Sequence, residues 1–67
     1  MQPRRYDYFS AIVKKSGSLM VIGRHWKPRL PKIMRRQYPS ARLFRPVNGY
    51  VPVVGNNVPE DCYVAAD

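Results

Sequence analysis

The first half of the chain contains two apolar runs with a small polar turn between them. Tyr6–Lys15 is rich in aromatic and β-branched residues and has no Gly or Pro, and a similar run, Leu19–Trp26, follows Ser16-Gly17-Ser18. Apolar runs around a Gly-containing turn are typical of a β-hairpin, and the Gly-Ser pair fits a type II′ turn. The sequence therefore predicts two antiparallel strands here.

The register of this hairpin follows from its predicted turn. A two-residue turn places Val13 opposite Ile22 and Phe9 opposite Trp26, and cross-strand pairs of this kind stabilise one face of a sheet. Ile12 then lies on the opposite face, so the hairpin carries apolar side chains on both sides. One of these faces is a candidate surface for a partner.

The apolar positions change to a helical period in Lys27–Pro39. Apolar side chains recur there at intervals of three and four residues with basic side chains opposite them, which predicts a short amphipathic helix that packs its stripe on the sheet. Pro31 fits its first turn. The alternative is a loop interrupted by prolines, because the segment contains three of them, Pro28, Pro31 and Pro39. The predicted apolar stripe is Leu30, Ile33, Met34 and Tyr38.

A second hairpin is predicted where the two-residue period returns. The runs Ala41–Val47 and Tyr50–Val54 flank Asn48-Gly49. An Asn-Gly pair between apolar runs is the strongest short hairpin signal, because both residues readily adopt the positive φ that the turn requires. This register places Phe44 opposite Val53.

These elements together predict an α+β fold, a small ββαββ module in which two antiparallel hairpins flank one short basic amphipathic helix. Residues 1–5 are predicted as a flexible basic arm, residues 6–58 as a single small domain and residues 59–67 as an acidic C-terminal tail. The tail contains a short extended piece at residues 62–64. A chain of 67 residues forms one domain at most, and its stability is marginal because it buries only about 60% of its unfolded surface.

Charge adds a functional expectation to this fold. Twelve Lys and Arg residues against four acidic residues give a net charge of +8, and no acidic residue lies between Tyr8 and Pro59. Uncompensated charge repels itself in a compact domain, so a partner that supplies negative charge is expected. The alternative is a solvated basic surface that maintains solubility.

The basic stretch also contains the only tryptophan of the chain. Trp26 lies between Arg24 and Lys27, and an exposed aromatic ring beside cations provides base stacking together with phosphate contact. The alternative is a core tryptophan paired with Phe9. The candidate residues for binding nucleic acid or an acidic partner are Arg24, Trp26, Lys27, Arg29, Lys32, Arg35, Arg36, Arg42 and Arg45.

The predicted function is that of a small basic protein that binds RNA or DNA, largely through phosphate contacts and aromatic stacking. The alternative is a small inhibitor, adaptor or minor assembly subunit, such as a viral one, that docks on an acidic surface of a larger protein. The longest aliphatic run, Leu19–Ile22, is too short for a signal peptide or a membrane span. We therefore expect an intracellular protein, soluble or within a larger assembly, with no membrane partner.

Enzymatic chemistry is not predicted. One Cys and one His are too few for a three-ligand metal centre of nitrogen and sulfur, and the isolated glycines form no phosphate-binding loop. Cys62 follows Glu60 and Asp61, a neighbourhood that raises the pKa of a thiol, and His25 is far from it in the chain. We expect no catalytic residue, no cofactor and no metal ion.

Overall fold

A computed structural model describes residues 7–66 as a five-stranded antiparallel sheet with one short α-helix. The predicted basic arm, residues 1–5, lies outside the described residues. Within the described chain, no helix is long and apolar enough to cross a membrane. The strand order in the sheet is β4-β2-β1-β3-β5. The elements in chain order are β1 (Tyr8–Val13), β2 (Leu19–His25), α1 (Lys32–Gln37), β3 (Arg42–Pro46), β4 (Asn57–Val58), a 3-10 helix (Glu60–Cys62) and β5 (Tyr63–Ala65).

The β1–β2 hairpin forms where the sequence predicts it, but its turn is longer. The Lys14 N–H donates to the carbonyl of Ser18, and the Gly17 N–H donates to the carbonyl of Lys14, both at 2.8 Å. Gly17 has a φ of 87° at the last position of this three-residue turn, where the left-handed conformation favours glycine. The turn is centred on Ser16 rather than on Gly17-Ser18, so Val13 pairs with Leu19 and the predicted pairing with Ile22 is wrong.

A β-bulge in β2 determines which of its side chains reach each face of the sheet. Ser10 pairs with Gly23 whereas the next residue, Ala11, pairs with Val21, so Ile22 is an extra residue on β2. Without the bulge, Val21 and Gly23 would lie on the same face. With the bulge, the Val21 side chain points into the hydrophobic core, and Gly23 lies on the opposite face of the sheet together with Ser10.

The segment after the Asn48-Gly49 turn does not return along β3. Both turn residues have positive φ, 57° and 74°, as the sequence predicts. However, β3 pairs with β1 on one side and with β5 on the other, so Phe44 lies opposite Phe9 and the predicted pairing with Val53 is wrong. The order of two hairpins around a helix is therefore not the arrangement of this sheet.

Residues 50–54 instead cross one face of the sheet and cover its core, and residues 55–56 then hydrogen-bond to Val21 along the edge of β2. The Tyr50 ring packs edge-on against Phe9 with 6.2 Å between ring centroids, and Pro52 is buried. A proline has no N–H to donate to a ladder, which disfavours a central strand in this segment. The core on this face, called the core face below, contains Phe9, Ala11, Leu19, Val21, Phe44 and Val58, with Tyr50, Cys62 and Tyr63 packed against them.

The sheet curls because its two outer strands are joined by a short connection. Only residues 59–62 separate β4 from β5, and most of them form a 3-10 helix, which rises about 2 Å per residue. The outer strands of a flat five-stranded sheet would be roughly 19 Å apart. Residues 59–67 are predicted as a tail, yet Tyr63–Ala65 form β5 and pair with β3, so this part of the chain completes the sheet.

The helix forms within the predicted segment but is less buried than its sequence pattern predicts. α1 covers Lys32–Gln37 and begins directly after Pro31, none of its residues is fully buried, and Ile33 is 66% exposed. The predicted packing of the whole apolar stripe is therefore wrong. Met34 is the residue that docks the helix, because a Cβ atom on Gly23 would lie only 2.8 Å from Met34 Cε. This contact places α1 over the second face of the sheet, called the helix face below.

Candidate nucleic-acid interface

The chain bends sharply as it leaves β2, and this bend builds the candidate site. The Arg29 N–H donates to the Lys27 carbonyl at 2.8 Å, which makes a three-residue turn centred on Pro28. The fixed φ of proline suits the centre of such an inverse γ-turn. Lys27 and Arg29 are therefore held on the two sides of one tight bend.

An open depression of about 300 Å³ lies at this bend. Four of the nine predicted site residues line it, and all four are exposed. The structure thus brings together an aromatic ring and three cations from one short stretch of chain. The depression, called the basic depression below, is lined by Arg24, His25, Trp26, Lys27, Arg29 and Pro31.

Trp26 is not a core residue. Its side chain is 57% exposed, whereas Phe9 is fully buried and pairs with Arg24. The aromatic rings that pack against Phe9 are those of Phe44 and Tyr50, not that of Trp26. The predicted pairing of Phe9 with Trp26 is therefore wrong, and the indole ring contributes to the surface of the basic depression.

The predicted residues on α1 continue the positive surface from the basic depression. Lys32, Arg35 and Arg36 are all exposed, and α1 begins directly after Pro31, which lines the depression. They are spaced i, i+3 and i+4, so their side chains share one face of this six-residue helix, which is about 9 Å long. Seven of the nine predicted residues therefore lie in one continuous segment, 24–36.

The two remaining candidates, Arg42 and Arg45, do not share one face. They are three residues apart on β3, so their side chains project from opposite sides of the sheet. The Arg42 guanidinium lies over the Phe44 ring at 5.7 Å, and that of Arg45 lies over the Tyr8 ring at 5.8 Å. The nine residues therefore do not form a single flat basic face.

A buried hydrogen bond supports the basic depression from beneath. His25 Nε2 and Ser10 Oγ are 2.8 Å apart, and both residues are buried. Burial lowers the pKa of His25 below its usual value, which favours the neutral ring. Sequence reasoning did not single out Ser10; the available signal was a hydroxyl inside an apolar strand, since a buried polar group requires a partner.

This histidine makes the stability of the fold depend on pH. Because its pKa is lower in the folded chain than its unfolded value of about 6.5, the unfolded chain binds more protons below that pH. Urea denaturation measures the free energy of unfolding at each pH. We expect the contribution of His25 to this free energy to be constant above pH 6.5, and we expect the free energy to fall as the pH is lowered towards the folded pKa. His25→Gln should reduce this slope, and an identical slope in both proteins would contradict the assignment.

The acidic residue Glu60 lies away from the basic depression. Glu60 borders a second open depression of about 390 Å³, together with Ser16 and Leu19 at the β1–β2 turn. The basic depression lies at the His25 end of β2, and a seven-residue strand is roughly 20 Å long. Glu60 is therefore placed where it does not compete with an anion in the basic depression.

Cys62 has the surroundings of an unreactive thiol. Burial raises its pKa, and the Asp61 carboxylate raises the pKa further through its charge and by accepting a hydrogen bond from the thiol at 3.6 Å. A raised pKa lowers the thiolate fraction and hence the reactivity. Cys62 packs against the core face, whereas His25 lies on the helix face with Ser10, so these two residues do not form a nucleophile–base pair.

Comparisons with known proteins add no relative to this picture. No protein-family model matches the chain, and neither the curated proteins nor the solved structures include a match. The geometry of the basic depression and the charge distribution around it are therefore the grounds for a function.

Proposed function

We propose that this protein binds nucleic acid through the basic depression and the adjoining face of α1. The observation that carries the proposal is the exposed ring of Trp26, placed in one depression with three exposed cations. Arginine binds phosphate oxygens through its planar fork, and an aromatic ring stacks on bases of any sequence. Phosphate contact and stacking are thus available within one small surface.

The overall charge supports the same proposal. A net charge of +8 on 67 residues attracts polyanions and speeds their association. The cations of α1 extend the depression along the chain, so that a strand bound at Trp26 meets further positive charge. Binding is expected to be mainly electrostatic and largely independent of sequence.

Salt dependence tests the proposal directly. The cations of the depression and of α1 should together give a log–log slope of affinity against salt of about −4 to −5, because each neutralised phosphate contributes about 0.7 to 0.9. These cations are Arg24, Lys27, Arg29, Lys32, Arg35 and Arg36. Lys27→Ala should reduce the steepness by about 0.7 to 0.9. Fluorescence anisotropy of a labelled oligonucleotide, measured at several salt concentrations, gives both values.

Lys15→Ala is the matched control for that measurement. Lys15 is an exposed cation in the β1–β2 turn, beside the second depression rather than the basic one. Its removal lowers the net charge by the same amount as Lys27→Ala but should leave the salt slope nearly unchanged. Equal effects of the two variants would show that charge alone, and not this site, determines binding; binding without a salt slope would refute the proposal.

An exposed apolar loop favours a second candidate, docking on a larger protein. Val51, Val53 and Val54 are exposed in the segment that crosses the core face, and apolar surface of this kind marks protein interaction sites. A protein partner retained after nuclease treatment, lost with Val53→Asp but kept with Lys27→Ala, would favour this candidate. The ratio of absorbance at 260 and 280 nm of the purified protein reveals co-purified nucleic acid.

A further inference from the structure

We infer that the basic depression is a site for one unpaired nucleotide, so that the protein prefers single-stranded to double-stranded nucleic acid. The inference rests on the proposed function and specifies its ligand. It follows from the exposure of Trp26, the size of the depression and the position of its cations.

The exposed indole ring favours a strand whose bases are accessible. In a duplex the faces of the bases are covered by their stacked neighbours, and a side chain reaches them only if a step is unstacked at an energetic cost. A single strand offers the same faces without that cost. With 57% of its surface exposed, the Trp26 side chain is accessible to an unstacked base.

The dimensions of the site also favour a single strand. About 300 Å³ is the lower end of the range for ligand sites, roughly 300 to 1,000 Å³, and it suits one nucleotide rather than a base pair. The alternative way to read a duplex is a helix inserted into the major groove. α1 has only six residues, and Met34 packs it against Gly23 of the sheet. The helix is therefore a poor candidate for insertion into a major groove.

The cations are placed for the phosphates of a strand that passes over the ring. Arg24 precedes Trp26 by two residues, whereas Lys27 and Arg29 follow it on the two sides of the Pro28 turn. Positive charge is therefore available before and after the stacked base. In one bound conformation, the cations can then contact the phosphates while the base stacks on the ring.

The ring is attached to a rigid part of the fold. Trp26 directly follows His25, whose imidazole is buried and hydrogen-bonded to Ser10. Binding residues supported by a buried hydrogen bond lose less freedom when a ligand arrives. The Ser10–His25 pair thus positions the stacking residue.

Intrinsic fluorescence provides a specific test, because Trp26 is the only tryptophan of the chain. The protein is titrated at one salt concentration with oligo(U), oligo(dT) and a blunt duplex of the same length. We expect quenching of Trp26 and tighter binding with the single strands. The two single-stranded arms show whether RNA or DNA is preferred.

Substitutions at the ring separate stacking from charge. Trp26→Ala should weaken single-strand binding by about 5- to 150-fold, the range found when a stacking aromatic is removed, and should change duplex binding little. Trp26→Phe should retain much of the affinity. Val13→Ala is the control and should have no effect, because Val13 is an exposed apolar residue at the turn end of β1, away from the depression and from α1.

The outcomes distinguish this inference from the proposed function. Duplex binding as tight as single-strand binding, or Trp26→Ala without effect, would overturn the inference while a salt-dependent affinity keeps the function. Absence of binding to every oligonucleotide would refute both. If Trp26→Ala fails to fold by circular dichroism, the quenching of the wild-type protein and the Trp26→Phe affinities still decide the question.

Discussion

Phe9→Ala is expected to lower the free energy of unfolding by about 3 to 5 kcal/mol, the usual cost of removing a buried phenylalanine. Phe9 is fully buried at the centre of the core face. Its ring stacks on Phe44 with 5.6 Å between centroids and contacts the edge of Tyr50. Alanine would leave a cavity bordered by β3 and by the segment that crosses the sheet.

A loss of that size is most of the stability available to this chain. Domains have about 0.05 to 0.15 kcal/mol per residue, so 67 residues give roughly 3 to 10 kcal/mol. Urea denaturation followed by circular dichroism measures the difference. If Phe9→Ala is unfolded without urea, Phe9→Leu gives a smaller loss that can be measured.

Val13→Ala is the matched control for the Phe9 substitution. Both residues are on β1 and point to the same side of the strand, but Val13 is 64% exposed. Its replacement should change stability by about 0.5 kcal/mol or less. A similar loss for both variants, or a loss below about 1 kcal/mol for Phe9→Ala, would contradict the central position of Phe9 in the core.

Gly23→Val is expected to destabilise the fold by about 1 to 3 kcal/mol through overpacking. A Cβ atom at this position would lie 2.8 Å from Met34 Cε, 3.1 Å from Ser10 Oγ and 3.2 Å from His25 Cε1. Glycine is required here because the helix and the buried hydrogen bond both approach the backbone of β2. Urea denaturation measures the loss, and a wild-type midpoint would contradict the close packing.

A double substitution identifies which neighbour resists the larger side chain. Met34 can move because its methyl group is the end of a flexible chain, whereas Ser10 and His25 are held by their hydrogen bond. Gly23→Ala should therefore be less destabilising in a Met34→Ala background than in the wild type. Equal losses in both backgrounds would show that the Ser10–His25 pair, and not the helix, limits the space.

Local signals in the sequence predicted several elements correctly. The apolar runs on either side of Ser16-Gly17-Ser18 placed β1 and β2, and Asn48-Gly49 adopts the positive φ that its turn requires. The extended piece expected at residues 62–64 corresponds to β5, Tyr63–Ala65. Each of these features depends on neighbours a few residues apart, which is why a single sequence contains them.

Those local signals did not predict which strands pair with β3. The strongest turn signal in the chain suggested that residues 50–54 pair with β3, but one edge of β3 pairs with β1 and the other with β5. The β2 bulge, which sends Gly23 to the helix face, has one local sign, a glycine inside a strand, but this sign does not specify which residue is the extra one. The pairing of β3 and the position of the bulge depend on contacts between residues that are far apart in the sequence. Local periodicity does not predict which of these contacts form.

By itself, the sequence determined the mixed α/β composition of the fold, the positions of two turns and a charge distribution with its cations in residues 24–45. Only the tertiary structure decided that Trp26 is exposed, that it shares a depression with Arg24, Lys27 and Arg29, and that Arg42 and Arg45 lie on opposite faces. The physical reason is that the charge of a residue is a property of its type, whereas its exposure depends on which distant residues fill the core.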